Sequence, residues 1–194
     1  VSAFLLNRSS DLAIRILHPE GLGSASFASS IASYFVLFTG LGMPIYGLRA
    51  AAACRRSPGE LSKLTAEMLL IRILSGVVAW GLFLVLSQFI PGNILLFIYG
   101  FSILAAIPDC TWLYKGMEDY TSLAWISAAG KIVGLITVFL LVRTAEDIRT
   151  YAWISVLIPF IGSLVELTVA EHKWNLNILR QLRTIISSRH IFWD

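Results

Sequence analysis

Lys131, Arg72, Glu166 and Asp109, together with Arg8, Asp11 and Arg15, lie in or beside stretches of sequence apolar enough to enter a lipid bilayer. An ionisable group inside a membrane costs about 2.5–3.5 kcal/mol on insertion scales, so such groups mark a substrate or ion path, a buried pair or a helix end. A lysine or arginine facing a polar cavity can hold an anion there. Lys131 is the most telling of them. The Leu, Ile, Val and Phe residues of Ser122 to Val142 contribute about −0.3 to −0.6 kcal/mol each, which offsets about +3 for one central lysine. The segment inserts, and its lysine snorkels, pairs with a neighbouring helix or faces a polar cavity.

The remaining charges have more local readings. Arg72 lies a third of the way along its apolar run with Glu67 five residues before it, so a local ion pair or snorkelling suffices. Glu166 is close to one end of its run, and Asp109 follows Pro108 near the end of another; both read as pairing, ion-coupling or lining groups. Arg8, Asp11 and Arg15 share one helical face at spacing i, i+3, i+7, opposite Leu5, Leu12 and Ile16, which makes Val1 to Leu17 an amphipathic helix. Gly130-x-x-x-Gly134 flanks Lys131 and permits close helix contact. Ser26, Ser29, Ser30 and Ser33 run beside Ala25, Ala28 and Ala32, a pattern for helix packing or for a polar cavity wall.

Other chemistry is excluded. The chain contains no Gly-rich phosphate loop and no His-Glu-x-x-His, and His18, His172 and His190 are scattered. Cys54 and Cys110 are neither a disulfide framework nor a metal-spacing pattern. Glu118 and Asp119 read as a solvated turn or a helix cap rather than a catalytic pair. No catalytic residue, metal site or cofactor is expected.

These residues must be held by membrane helices. Across 194 residues the hydrophobic fraction is 57% and the charged fraction 14%, with mean hydropathy +0.76, far from a soluble domain. The net charge of +3 does not point to nucleic acid, because the basic residues collect between apolar runs. Runs of about 20 apolar residues, the length that crosses a bilayer core, cover Ala25 to Leu48, Leu64 to Phe89, Ile94 to Tyr114, Ser122 to Val142 and Tyr151 to Val169. With Val1 to Leu17 they make an all-α, polytopic bundle of about six helices. His18-Pro19-Glu20-Gly21-Leu22-Gly23, Pro91-Gly92-Asn93 and Gly116 punctuate them.

Loop charge sets the expected orientation. Arg49, Arg55, Arg56, Lys63, Lys115, Lys173, Arg180, Arg183 and Arg189 occupy alternate connections, which the positive-inside rule places in the cytoplasm with both ends of the chain. The turns at Pro19 to Gly23, Pro91 to Asn93 and Arg143 to Thr150 then face out. Val1 to Leu6 is too short for a signal-peptide core and lacks a basic flank, so no cleavable signal is expected. The start at Val1 and the apolar ending Ile191-Phe192-Trp193-Asp194 read as a fragment of a longer protein.

Several phrases, in order, carry a family resemblance: the stretch from His18 to Ala28, then Tyr34-Phe35, then Leu41-Gly42-Met43-Pro44-Ile45-Tyr46-Gly47-Leu48-Arg49. Trp112-Leu113-Tyr114-Lys115-Gly116-Met117-Glu118-Asp119-Tyr120 and Phe139-Leu140-Leu141-Val142-Arg143 extend it. Together they resemble bacterial polysaccharide-biosynthesis membrane proteins, the Wzx-type lipid-linked oligosaccharide flippases of the multidrug/oligosaccharidyl-lipid/polysaccharide exporter superfamily. His18 departs from the glycine usual before Pro-Glu-Gly.

The resemblance implies two six-helix lobes around a central cavity with alternating access. Residues 1–170 would be the first lobe, and 171–194 a cytoplasmic linker toward a second lobe beyond this chain. It also implies a flippase rather than an enzyme, in the bacterial inner membrane, moving a lipid-linked oligosaccharide for surface polysaccharide such as the O-antigen of lipopolysaccharide. Its partners would be that substrate, membrane lipids, the second lobe and other glycan-assembly proteins. Arg8, Arg15, Arg72 and Lys131 are the cationic candidates for the anionic headgroup; Asp11, Asp109 and Glu166 are the candidates for ion coupling or pairing. A cation-coupled drug or ion exporter of the same superfamily, and an integral-membrane glycan polymerase or glycosyltransferase, are the alternatives.

Overall fold

A computed structural model describes residues 2–40, 42–90, 94–144, 147–178 and 180–184, with side chains from residue 21 onward. Every regular element among them is a helix: α1 Ser2–Thr39, α2 Met43–Ala53, α3 Pro58–Ser87, α4 Ile94–Ala105, α5 Thr111–Gly116, α6 Tyr120–Leu141 and α7 Ile148–Lys173. Gly21–Thr39 within α1, and α3, α6 and α7, are long and apolar enough to cross a membrane; α4 is apolar but shorter. The protein is an all-α, multi-pass membrane bundle.

Local chemistry explains where the elements start and stop. Gly42 takes φ 69°, open to glycine at no steric cost, and Pro44 follows inside the first turn of α2. α3 likewise begins on Pro58, with Glu60 in its first turn near the positive end of the helix dipole. Asp119 accepts the Ser122 backbone N–H and caps α6.

Three boundaries differ from the sequence pattern. The expected run Ala25 to Leu48 is split into α1 and α2, because Gly42 takes a left-handed turn and Pro44 starts a new helix. The break expected at Pro19–Gly23 is absent, and α1 runs unbroken from Ser2 to Thr39. A proline deletes one helical hydrogen bond but does not oblige the chain to turn, and membrane helices tolerate it. The apolar run Ile94 to Tyr114 is instead divided, because the stretch around Pro108 leaves the helical path between α4 and α5. The expected turn at Pro91 to Asn93 lies outside the described residues.

Helix α4 is the centre, packed against α1, α3 and α7. Ala25, Ala28 and Ala32 of α1 are buried in this core with Ala79, Phe83, Leu96 and Ile103, so the alanine stripe lets helices approach closely. Phe35 meets Phe83 edge to face at 5.4 Å, and a Cβ at Gly100 would overlap the Phe83 ring. The serines beside the alanines bond within α1: Ser29, Ser30 and Ser33 donate to carbonyls three or four residues back.

A second core lies at the basic end. There Gly47 makes room for Trp112 and Met68, and Gly116 sits against Ala51 and the Leu48 carbonyl, locking α2 onto α5. Arg55 donates to the Gly116 carbonyl at 2.8 Å and pairs with Glu118 at 3.1 Å. Lys173, at the end of α7, reaches Asp119 at 2.7 Å. The chain beyond α7 folds back onto this end, where Trp174 stacks edge-on against Tyr114 and Leu176 and Ile178 are buried. Loops that are far apart in sequence and rich in basic residues thus converge.

Candidate functional site

Helices α6 and α7 touch at Gly134, where a Cβ would stand 3.4 Å from Ile158. On either side of that contact they separate around a cavity of about 490 Å³. The opening follows from small residues. A Cβ at Gly130 or at Gly162 would meet nothing within 4 Å, and Ser127 of α6 and Ser155 and Ser163 of α7 line the cavity. Pro159 adds to it: without an N–H, proline leaves the Ser155 carbonyl lacking its helical donor, an acceptor at the cavity surface.

The charged lining comprises Lys131 from α6, Glu166 from α7 and Asp109 from the α4–α5 joint, with Thr111 beside Asp109. Lys131 is exposed, whereas Glu166 is 9% exposed. Thr111 ties the two carboxylates together: its backbone N–H donates to Asp109 Oδ1 at 3.0 Å, its hydroxyl does so at 2.6 Å, and the same oxygen lies 3.3 Å from Glu166 Oε2. The Tyr114 hydroxyl donates to the Glu166 backbone carbonyl at 2.7 Å, pinning α7 to α5 at this level.

Arg72 reaches the same joint from the far side. Its Nη1 faces three acceptors: the Asp109 carbonyl at 2.7 Å, the Ala106 carbonyl at 3.0 Å and Asp109 Oδ2 at 3.1 Å. Arg72 is 5% exposed. A buried charge is tolerated where it is paired and hydrogen-bonded, and here it donates to the Ala106 and Asp109 carbonyls where the helical path breaks. Its Nε is buried without a protein partner.

Of the candidates read from sequence, Lys131, Asp109 and Glu166 converge on the cavity. Arg72 is not in its lining: it pairs with Asp109, while Glu67, its nearest acid in sequence, faces Lys63 at 3.9 Å. The backbone of Arg8, Asp11 and Arg15 belongs to α1, and their side chains lie outside the described residues. Thr111, Tyr114 and Ser155 are additions. Their signal was hydroxyl groups in apolar segments, too common to single out. The Glu118 and Asp119 pair acts as cap and clasp. Hydrogen bonding from Arg55 holds the Glu118 carboxyl below its ordinary range. Burial would raise that of Asp119, but the bonds from Lys173 and Ser122 outweigh it and hold it low.

Residues 12–193 match the family model described as polysaccharide biosynthesis protein. Over 188 residues the chain is 23% identical to a protein of Shigella dysenteriae named "Putative O-antigen transporter", a match covering 92% of this chain and 46% of that protein. The chain therefore spans about half the length of this relative. No solved structure matches it.

Proposed function

Since this chain belongs to the polysaccharide biosynthesis protein family, we propose that the whole protein moves a polyprenyl-diphosphate-linked oligosaccharide across the cytoplasmic membrane by alternating access, its lipid tail remaining in the bilayer. The single observation that carries the reading is the α6–α7 cavity, with Lys131 and Ser127 on the α6 wall and two serine hydroxyls and a carbonyl acceptor on the α7 wall. A diphosphate near Lys131 recovers part of its lost hydration. At an effective dielectric constant of about 20, unit charges 4 Å apart attract by about 4 kcal/mol. The Ser155 and Ser163 hydroxyls, whose protons go to carbonyls of α7, offer the sugar acceptors in place of water. No covalent bond changes in such a cycle, so no catalytic residue is needed.

The name of the Shigella relative supports a transport role, and the basic loops support placing the clasped end in the cytoplasm of a bacterial inner membrane. The lobe would work opposite a second one, as in repeat-built carriers. One observation favours a second reading, export of a cationic compound: Asp109 and Glu166 share the cavity with Lys131. Asp109 is already compensated by Arg72, which leaves one carboxylate for that role.

Leaflet-resolved assay of the lipid-linked precursor in cells depleted of the protein separates these readings. Translocation predicts accumulation in the inner leaflet with synthesis intact. Normal export with loss of resistance to a cationic drug overturns it in favour of the second reading, and absent precursor or unpolymerised glycan outside overturns it in favour of an enzyme.

A further inference from the structure

Thr111 has one hydroxyl proton and a carboxylate on each side. At 2.6 Å from Asp109 Oδ1 and 3.3 Å from Glu166 Oε2, the proton belongs to the short contact, since O–H···O bonds are usually 2.5–3.0 Å. Asp109 also accepts the Thr111 backbone N–H and the Arg72 guanidinium, an arrangement that suits an anion. The lone pairs of the Thr111 oxygen are then turned toward Glu166. Against a carboxylate they repel; against the O–H of a carboxylic acid they accept.

The groups around Glu166 come from every neighbouring element. Asp109 faces it from the α4–α5 joint and Lys115 from α5, the Cys110 backbone N–H donates to it, and Lys131 of α6 lines the same cavity. The Cys110 thiol is buried nearby, Tyr114 binds its backbone carbonyl, and Arg72 acts on it through Asp109. One of its faces is open to the α6–α7 cavity. The joint is also a partition: Asp109 and Thr111 line a second cavity, of about 400 Å³, formed with Pro44, Leu48, Trp112 and Lys115.

We propose that Glu166 carries a proton while α7 is docked on the α4–α5 joint, and that loss of this proton into the α6–α7 cavity turns the carboxylate from Thr111 toward Lys131. The acid O–H bond breaks, the proton leaves by the cavity, and Thr111 and Asp109 keep their own protonation states. The Tyr114 bond to the backbone carbonyl is untouched, so the helix stays anchored while the side chain moves. With Glu166 neutral, the cavity favours an anion at Lys131. With Glu166 ionised, its carboxylate competes with that anion. This last consequence rests on the function proposed above, but the protonation itself does not.

Infrared difference spectra of the whole protein in lipid nanodiscs, titrated across neutral pH, test it directly. The expected result is a protonated-carboxyl carbonyl band at neutral pH, lost in Glu166→Gln and moved to higher frequency in Thr111→Val, where the acceptor oxygen is gone. Absence of the band at neutral pH, or its survival in Glu166→Gln, overturns the proposal. Should Glu166→Gln fail to fold, the Thr111→Val spectrum decides, and an unshifted band places the proton elsewhere. Transport is not measured, so failure here leaves the translocation reading standing.

Discussion

On the α3 side of the lobe, Arg72 is enclosed, with its guanidinium surrounded by two carbonyls and a carboxylate. On the α6 side, Lys131 belongs to a helix with no buried residue and lines an open cavity. Both are cations in apolar segments, and the sequence names both as candidates for an anionic headgroup while giving Arg72 the more local reading. The difference lies in their neighbours. Arg72 faces a break in the helical path, where it donates to two carbonyls; Lys131 follows Gly130, which leaves space. One charge holds the fold together, and the other lies where a ligand can reach it.

That contrast is breakable by mutation. Arg72→Ala removes the guanidinium donor from Asp109 and two carbonyls. Asp109 is partly exposed and keeps its Thr111 bonds, and hydrogen bonds to a charged group are worth about 1.5–3 kcal/mol, so unfolding in detergent should register a loss of at least that order. Gly116→Ala pushes a methyl to within 2.8 Å of the Leu48 carbonyl, and overpacking against backbone costs about 1–3 kcal/mol. The same assay should rank it second.

At the basic end the effects shrink. Asp119→Ala removes the cap of α6 and the partner of Lys173, a loss of about 1 kcal/mol. Because Asp119 and Glu118 are held below the ordinary carboxylate range, their contribution is fully present above the unfolded value of about 4. It is lost as pH falls through the lower folded values. Stability differences between Asp119→Ala and the parent should be flat around neutral pH and close up in acid. Smallest of all is the stability effect of Gly162→Leu, which fills open space and should stay within about 0.5 kcal/mol of the parent. In a glycan-export assay the same change should block the cavity; unimpaired export would separate the cavity from function.

The helical class and most membrane runs were legible because apolar runs of bilayer length have few other uses. The breaks were less so. Pro19 and Pro108 carry the same local signal, yet the chain continues as helix through one and turns at the other, a choice that the local sequence does not encode. Lys131, Asp109 and Glu166 stood out because charge is rare in such segments. That Asp109 is bound to Arg72 rather than free for a ligand depends on a contact 37 residues apart, which no local spacing encodes. Thr111 was invisible for the same reason: a hydroxyl matters only when two carboxylates meet at it.

The measurement that bears most directly on the central claim is inner-leaflet precursor accumulation in cells whose whole protein carries Lys131→Ala, with Lys131→Arg alongside. The account predicts export slowed at least about tenfold in the alanine variant, equal to about 1.4 kcal/mol, with folded protein at parental levels and partial recovery in the arginine variant. Export at the parental rate in Lys131→Ala would contradict it.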